Sequence, residues 1–286
     1  MKKIIAFLMM AALTVPAPAE IVGTLLNPAN RQVKVFFETE TGLFGVLKHT
    51  YQSGRTEEGA TNFDFVNQGG QDILLPFDRY VAGVTVKDKH KIGLLYQPLN
   101  VVTRVTFRDD VMIDSVLFGS GTPMEITYGF PFYRFTYSYY FVNSEKFQLA
   151  GGLALQARNA SIVFKAIDGS AMTVSQNVGP VPAFQLYGRY ALDSGIYFSL
   201  DATGLYASSA IINGATFEFE GSILDASLRM GYPLRKGIDV FGNLRYLGGT
   251  AKGSSEYVER TWSEPTQRYT ENVLSTMSFT LGLSIY

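Results

Sequence analysis

From Phe147 the chain alternates: Phe147, Leu149, Gly151, Leu153, Leu155 and Ala157 share one parity, Gln148, Ala150, Gly152, Ala154, Gln156 and Arg158 the other. A period of two sustained this long is a strand with one apolar and one polar face. The pattern recurs as Ile196, Phe198, Leu200, Ala202, Gly204 and Tyr206 against Tyr197, Ser199, Asp201 and Thr203, and again from Ile238 to Tyr246. Such segments run about 14 to 18 residues, where strands of soluble proteins usually have about 5 or 6. Their polar parity is rich in Gly, Ala, Ser and Gln rather than the Lys and Glu of a solvent face. Both features disfavour a soluble sandwich and favour strands with lipid on one side and a barrel interior on the other.

Ten strands follow from this reading, near 33–51, 74–86, 90–107, 123–142, 147–165, 178–192, 196–211, 216–232, 238–254 and 271–286. They predict an all-β fold: a single transmembrane antiparallel β-barrel, with twelve strands as the alternative if Pro98-Leu99 and an extra hairpin over Arg104 to Phe118 divide the wall further. Tight polar reversals at Asn143 to Lys146, Asp193 to Gly195 and Arg235 to Gly237 contrast with longer connections at Ile167 to Asn177, around Asn213, and from Lys252 to Thr270. Short turns on one side and longer loops on the other place the tight turns in the periplasm. In Tyr128 to Phe141, YGFPFYRFTYSYYF, the apolar parity changes from Met124, Ile126, Tyr128, Phe130 and Phe132 to Tyr133, Phe135, Tyr137, Tyr139 and Phe141. Pro131 at the change predicts a bulge, with the apolar side facing lipid at both ends and Arg134 pointing inward.

The N-terminus adds a location. Lys2 and Lys3, an apolar run from Ile4 to Val15, and Ala17-Pro18-Ala19 have the form of a secretory signal cleaved after Ala19, so that residues 20–286 make the barrel. Beyond that signal no apolar run reaches the ~18 to 20 residues of a spanning helix. There is no cysteine, which removes thiol chemistry, disulfides and a lipid-anchor cysteine. The 24 basic and 25 acidic residues leave a net charge of -1, without the basic excess of a nucleic-acid binder.

Signal, alternating strands and the closing MSFTLGLSIY together resemble the bacterial outer-membrane β-barrel proteins as a class. The resemblance implies export by the general secretory route to the outer membrane of a diderm bacterium, with outer-membrane lipids, lipopolysaccharide and the barrel-assembly machinery as partners, and a small solute if the lumen is open. The C-terminus departs from the pattern, because Met277, Phe279, Leu281, Leu283 and Ile285 alternate one step out of phase with Tyr286.

The candidate lumen-lining residues are Glu38, Glu40, Arg79, Arg134, Arg158, Arg189, Asp201, Asp225, Arg229, Asp239 and Arg245; Lys48, Gln156, Gln185 and Asn243 share their parities. Both signs occur in similar numbers, so pairing into a network that fills a narrow lumen is favoured over a charged constriction selecting a solute. A barrel of about ten strands leaves little open lumen, whereas about 16 make a channel. The functional expectation is a non-catalytic barrel, either a narrow pore or a structural and surface-binding protein, without cofactor or metal. The alternative is a lipid-modifying or hydrolytic enzyme using His49, which precedes Ser53 in KHTYQSG but without the fuller nucleophile motif of an outer-membrane phospholipase. Asp88-x-His90 has a spacing similar to that in omptin proteases yet falls in a periplasmic turn, and Asp109-Asp110 has no histidine nearby in sequence. The irregular stretch Gly54 to Tyr80, with Phe63, Phe65 and Phe77, is either a lid folded into the mouth or an ordered surface loop.

Overall fold

A computed structural model of the chain describes residues 33–208, 219–254 and 269–286. The expected signal peptide falls on residues 1–32, and the connections at 209–218 and 255–268 likewise lie outside the described residues. In chain order the strands are β1 (Val33–Ser53), β2 (Phe63–Asp64), β3 (Leu74–Val86), β4 (His90–Gln97), β5 (Asn100–Thr106), β6 (Val111–Ile113), β7 (Val116–Phe118), β8 (Pro123–Gly129), β9 (Phe132–Asn143), β10 (Phe147–Ala166), β11 (Met172–Ala191), β12 (Tyr197–Ser208), β13 (Phe219–Arg235), β14 (Ile238–Ser254) and β15 (Tyr269–Ile285). No described helix is long and apolar enough to cross a membrane.

Ten of these strands, β1, β3, β4 and β9 to β15, form the wall, each antiparallel to the next. β15 returns to pair with β1 from Phe37↔Ile285 to Ser53↔Thr270, which closes the barrel and removes the sheet edges there. The hairpin β6–β7 exists, but as a separate two-stranded sheet outside the wall, so the barrel has ten strands and not twelve. β5 and β8 prolong β4 and β9 beyond the interruptions at Pro98-Leu99 and Phe130-Pro131. β11 begins at Met172, earlier than the expected 178, because its first residues already pair with β10 as far as Lys165↔Met172; the connection is correspondingly shorter than expected.

The outward parities expose Leu94, Phe135, Leu155, Phe184, Leu200, Leu228, Leu244 and Phe279, an apolar belt suited to hydrocarbon and not to water. Outward rings bound it. Tyr80, Tyr96 and Tyr133 stack in a row across β3, β4 and β9, with centroids 6.4 and 5.0 Å apart, and Phe141, Tyr190 and Tyr232 are exposed near the other end. Along β9, Tyr133 to Phe141 corresponds to about 20 Å of height for a strand tilted ~40°, close to the ~25 Å apolar band of such barrels. The longer strands rise well beyond the upper row, as far as Lys165↔Met172 between β10 and β11. The tight turns lie together at the opposite end, tied by Lys34 to Asp88 and by Lys146 to Asp193, both at 2.6 Å. Lys87 and Asp88 adopt φ of 54° and 55° in the three-residue β3–β4 connection, where the Lys89 N–H donates to the Val86 carbonyl at 3.1 Å to close the turn.

The bulge expected at Pro131 is not there. Gly129 faces Ser161 and Phe132 faces Arg158, so β8 and β9 keep one register against β10 across the proline, which interrupts the ladder without adding a residue. Even-numbered positions face inward throughout: Met124, Ile126, Tyr128 and Phe132 are as buried as Arg134 and Ser138. What changes at Pro131 is the chemistry of the interior, apolar above and polar below; the upper rings face the inside of the protein, not lipid. The register shift of β9 lies farther down, between Leu149 and Ala150 of β10, where Phe141 is the extra residue. A second shift in β1, between Val46 and Lys48, turns Lys48 outward and His49, Tyr51 and Ser53 inward, correcting the inward placement of Lys48.

Of the Gly54 to Tyr80 stretch, residues 54–73 fold inward as a lid, while residues 74–80 already belong to the wall strand β3. Its Phe63 and Phe65 meet Phe107, Val111, Ile113 and Phe118 from the β5–β8 connection and Tyr128, Ile162 and Phe164 from the wall in one buried cluster. Phe63 packs edge-on against Phe164 at 4.9 Å, and the two connections are stitched by Thr61 N–H to the Met112 carbonyl at 2.9 Å. This apolar cap packs against β1, β8, β10 and β15 at the end of the barrel opposite the tight turns.

Candidate functional site

Beneath the cap, alternation along β1, β3, β9, β13, β14 and β15 brings charged side chains to one level of the lumen. Asp225 of β13 is their centre. Its Oδ2 accepts from Arg134 Nη2 at 2.7 Å and from Arg79 Nη2 at 3.0 Å, and its Oδ1 accepts from Arg245 Nη1 at 2.6 Å. Those arginines stand on β9, β3 and β14, so one carboxylate ties together walls on opposite sides of the barrel. Glu40 extends the network: its Oε1 accepts from Arg245 Nη2 at 3.1 Å and Arg229 Nη2 at 3.5 Å, its Oε2 from Asn243 Nδ2 at 2.8 Å and Thr280 Oγ1 at 2.9 Å. Arg229 also donates to Glu38 Oε2 at 2.9 Å, and Arg79 to Gln97 Oε1 at 3.1 Å. The Asp225 side chain is 0% exposed, and those of Arg79, Arg134 and Arg245 no more than 5%.

Charges this deep persist only when paired and hydrogen-bonded. Rings complete the packing, with the Arg229 guanidinium 3.6 Å from the Phe241 centroid and that of Arg134 5.0 Å from Phe132. Directly above, Leu95, Phe132 and Ile223 form a small apolar layer with Phe130 and Leu247 against it. The lumen is therefore crossed by the charged layer and by this apolar layer, with the cap packed above them on one side.

Seven of the candidate residues, Glu38, Glu40, Arg79, Arg134, Asp225, Arg229 and Arg245, meet in the network. Three others turn inward but stay apart from it: Asp201 accepts from Gln185 Nε2 at 3.0 Å, Asp239 from the Tyr286 hydroxyl at 3.0 Å, and Arg189 lies 4.0 Å from the Tyr197 centroid. The side chain of Arg158 lies outside the described part of the chain. Of the three pairs at Asp225 only that with Arg245 joins neighbouring strands, β13 and β14; Arg79 and Arg134 reach Asp225 across the lumen. Gln97 and Thr280 were missed as partners because they are uncharged, although Thr280 sits on the inward parity of β15 with Thr276, Ser278 and Ser284.

The candidate catalytic groups separate. His49 is buried in the cap, stacked on Phe65 at 3.9 Å with its Nδ1 2.8 Å from Gln71 Oε1. Ser53 donates instead to Asp114 Oδ1 at 3.2 Å, so His49 and Ser53 belong to different contacts. His90 lies at the end of the tight turns, against the Tyr137 hydroxyl at 2.9 Å. Asp110 holds a turn by accepting from the Ser120 N–H at 2.8 Å. Among the described residues no three His, Asp or Glu side chains gather as metal ligands.

No protein-family model and no curated protein matches the sequence. Solved structures do. The chain is similar to the outer membrane protease OmpT from Escherichia coli, with 11% identity over 88% of this chain and 96% of that one and a TM-score of 0.51. It is also similar to a Pseudomonas aeruginosa FadL homologue (9% identity, 89% and 90% coverage, TM-score 0.38) and to OprG from Pseudomonas aeruginosa (11%, 89% and 98%, TM-score 0.33). At such identity the likeness carries the fold and none of the protease's chemistry. Closed wall, outward apolar belt and asymmetric turns make this chain a closed ten-stranded antiparallel β-barrel, the fold it shares with that outer-membrane protease.

Proposed function

We propose that the protein is a sealed structural and binding barrel of the outer membrane, neither a passive pore nor a His49-dependent hydrolase. The observation that carries this reading is Asp225, buried and held by three arginines from three strands across the lumen, with an apolar layer and a folded cap above it. In this reading export follows the general secretory route. Outer-membrane lipids and lipopolysaccharide surround the belt, and the barrel-assembly machinery reads the outward Leu281, Leu283 and Ile285 of β15, because Tyr286 turns to Asp239. Liposomes carrying the purified protein should swell in small sugars no faster than protein-free liposomes, and His49→Ala should leave the phospholipid and lipid A profile of cells unchanged. Rapid swelling would contradict the sealed lumen, and a lipid change traced to His49 would restore the hydrolase.

A further inference from the structure

Between the charged layer and the periplasmic mouth the lumen widens into a chamber of about 240 Å³. It shares Phe36, Glu38, Lys91, Tyr187 and Arg229 with a second hollow of about 90 Å³ just below the charged layer. The acids of the chamber have partners: Asp88 is held by Lys34 at 2.6 Å, Glu38 by Arg229 at 2.9 Å, and Asp239 by the Tyr286 hydroxyl at 3.0 Å. Two of its cations have no ion pair of their own, although Lys91 stands within electrostatic reach of Glu38. Among the described residues, Lys91 and Arg189 make no salt bridge; each lies on a ring face, Lys91 Nζ 4.3 Å from the Phe36 centroid and 5.8 Å from Tyr187, Arg189 4.0 Å from Tyr197. A cation resting on a ring keeps its outer N–H groups free for an anion, and the ring walls around it offer apolar and stacking surface. A cavity of about 150 Å³ admits benzene, so this chamber has room for a ring with a carboxylate attached.

We propose that this periplasm-facing chamber binds a small aromatic carboxylate, its anion taken by Lys91 and Arg189 and its ring by Tyr187. The site goes beyond the sealed-barrel reading: the ligand enters and leaves from the periplasm, and the charged layer is its floor. A plain solvated mouth would also hold an occasional Lys and Arg, but would show no preference for a ring.

Titration calorimetry of the full chain in detergent, with benzoate as the probe, decides between these. Benzoate should bind saturably, one per chain, while acetate (charge without a ring) and benzyl alcohol (ring without a charge) should bind at least about tenfold more weakly. Lys91→Met combined with Arg189→Met should weaken benzoate binding about tenfold or more at an unchanged melting temperature. If that double variant does not fold, Lys91→Gln alone should weaken benzoate severalfold, and Tyr187→Leu, which keeps both cations, should do the same. No saturable benzoate binding, equal affinity for acetate, or unchanged affinity in the cation variants would each overturn the proposal. Open-channel behaviour with intact benzoate binding would count against the sealed barrel and leave the chamber standing.

Discussion

Asp225→Ala is the sharpest perturbation of the lumen. The substitution removes the acceptor for three guanidinium groups at 2.6, 2.7 and 3.0 Å. Arg245 keeps Glu40 at 3.1 Å and Arg79 keeps Gln97 at 3.1 Å, but Arg134 loses the only carboxylate it reaches among the described residues. A charge so stranded at 4% exposure costs on the order of 3 to 5 kcal/mol in a dry interior. In a wet lumen, where water takes over the contacts, the same change should cost under about 1 kcal/mol. Urea unfolding in lipid vesicles, followed by far-ultraviolet circular dichroism and heat-modifiable migration on gels, measures the difference. Adding Arg134→Met to Asp225→Ala should return about half of the loss or more, since it removes the stranded charge along with its partner. A cost below about 1 kcal/mol together with a new anion-selective conductance would show that the layer is hydrated and that the argument from pairing fails.

Other consequences follow from the cap and the bulges. Phe63→Ala should destabilise the cap by about 3 to 5 kcal/mol, read as protease cleavage within residues 54–73 while the membrane-embedded barrel keeps its heat-modifiable migration. Deleting Leu47, the extra residue of the β1 register shift, removes the bulge but leaves Lys48 opposite Ser275 and His49, Tyr51 and Ser53 inward, so the variant should assemble with the heat-modifiable migration of the parent, and failure to assemble would show that the bulge itself is required. Tyr286→Phe removes one hydrogen bond to Asp239 and should cost about 0.5 to 1.5 kcal/mol in urea unfolding, with the yield of assembled barrel unchanged because Ile285 still faces outward.

The wall was legible in the sequence because lipid on one face and a confined interior on the other impose a strict period of two, visible at Phe147 to Arg158 and Ile238 to Tyr246. The inward candidates were legible for the same reason: Glu40, Arg79, Arg134 and Asp225 each sit on a polar parity, though parity says nothing of which residues meet across ten strands. The Tyr128 to Phe141 segment misled because alternation distinguishes two faces without naming what each face touches. An apolar cap inside the barrel gives Met124, Ile126 and Tyr128 the same signature as lipid would. The bulges at Leu47 and Phe141 left no proline or glycine as a mark, so Lys48 was placed on the wrong face. His49 beside Ser53 suggested chemistry, but packing against Phe65 and a bond with Gln71 separate the pair, and only tertiary contacts reveal that.

The central claim, a lumen closed by the Asp225 network, is tested most directly by planar-bilayer recording of the purified full chain at physiological salt beside Asp225→Ala. A sealed barrel predicts that the native protein stays at the baseline of the bare membrane, and the substituted protein with it as long as the apolar layer above still crosses the lumen. Steady, ion-selective steps from the native protein would contradict it.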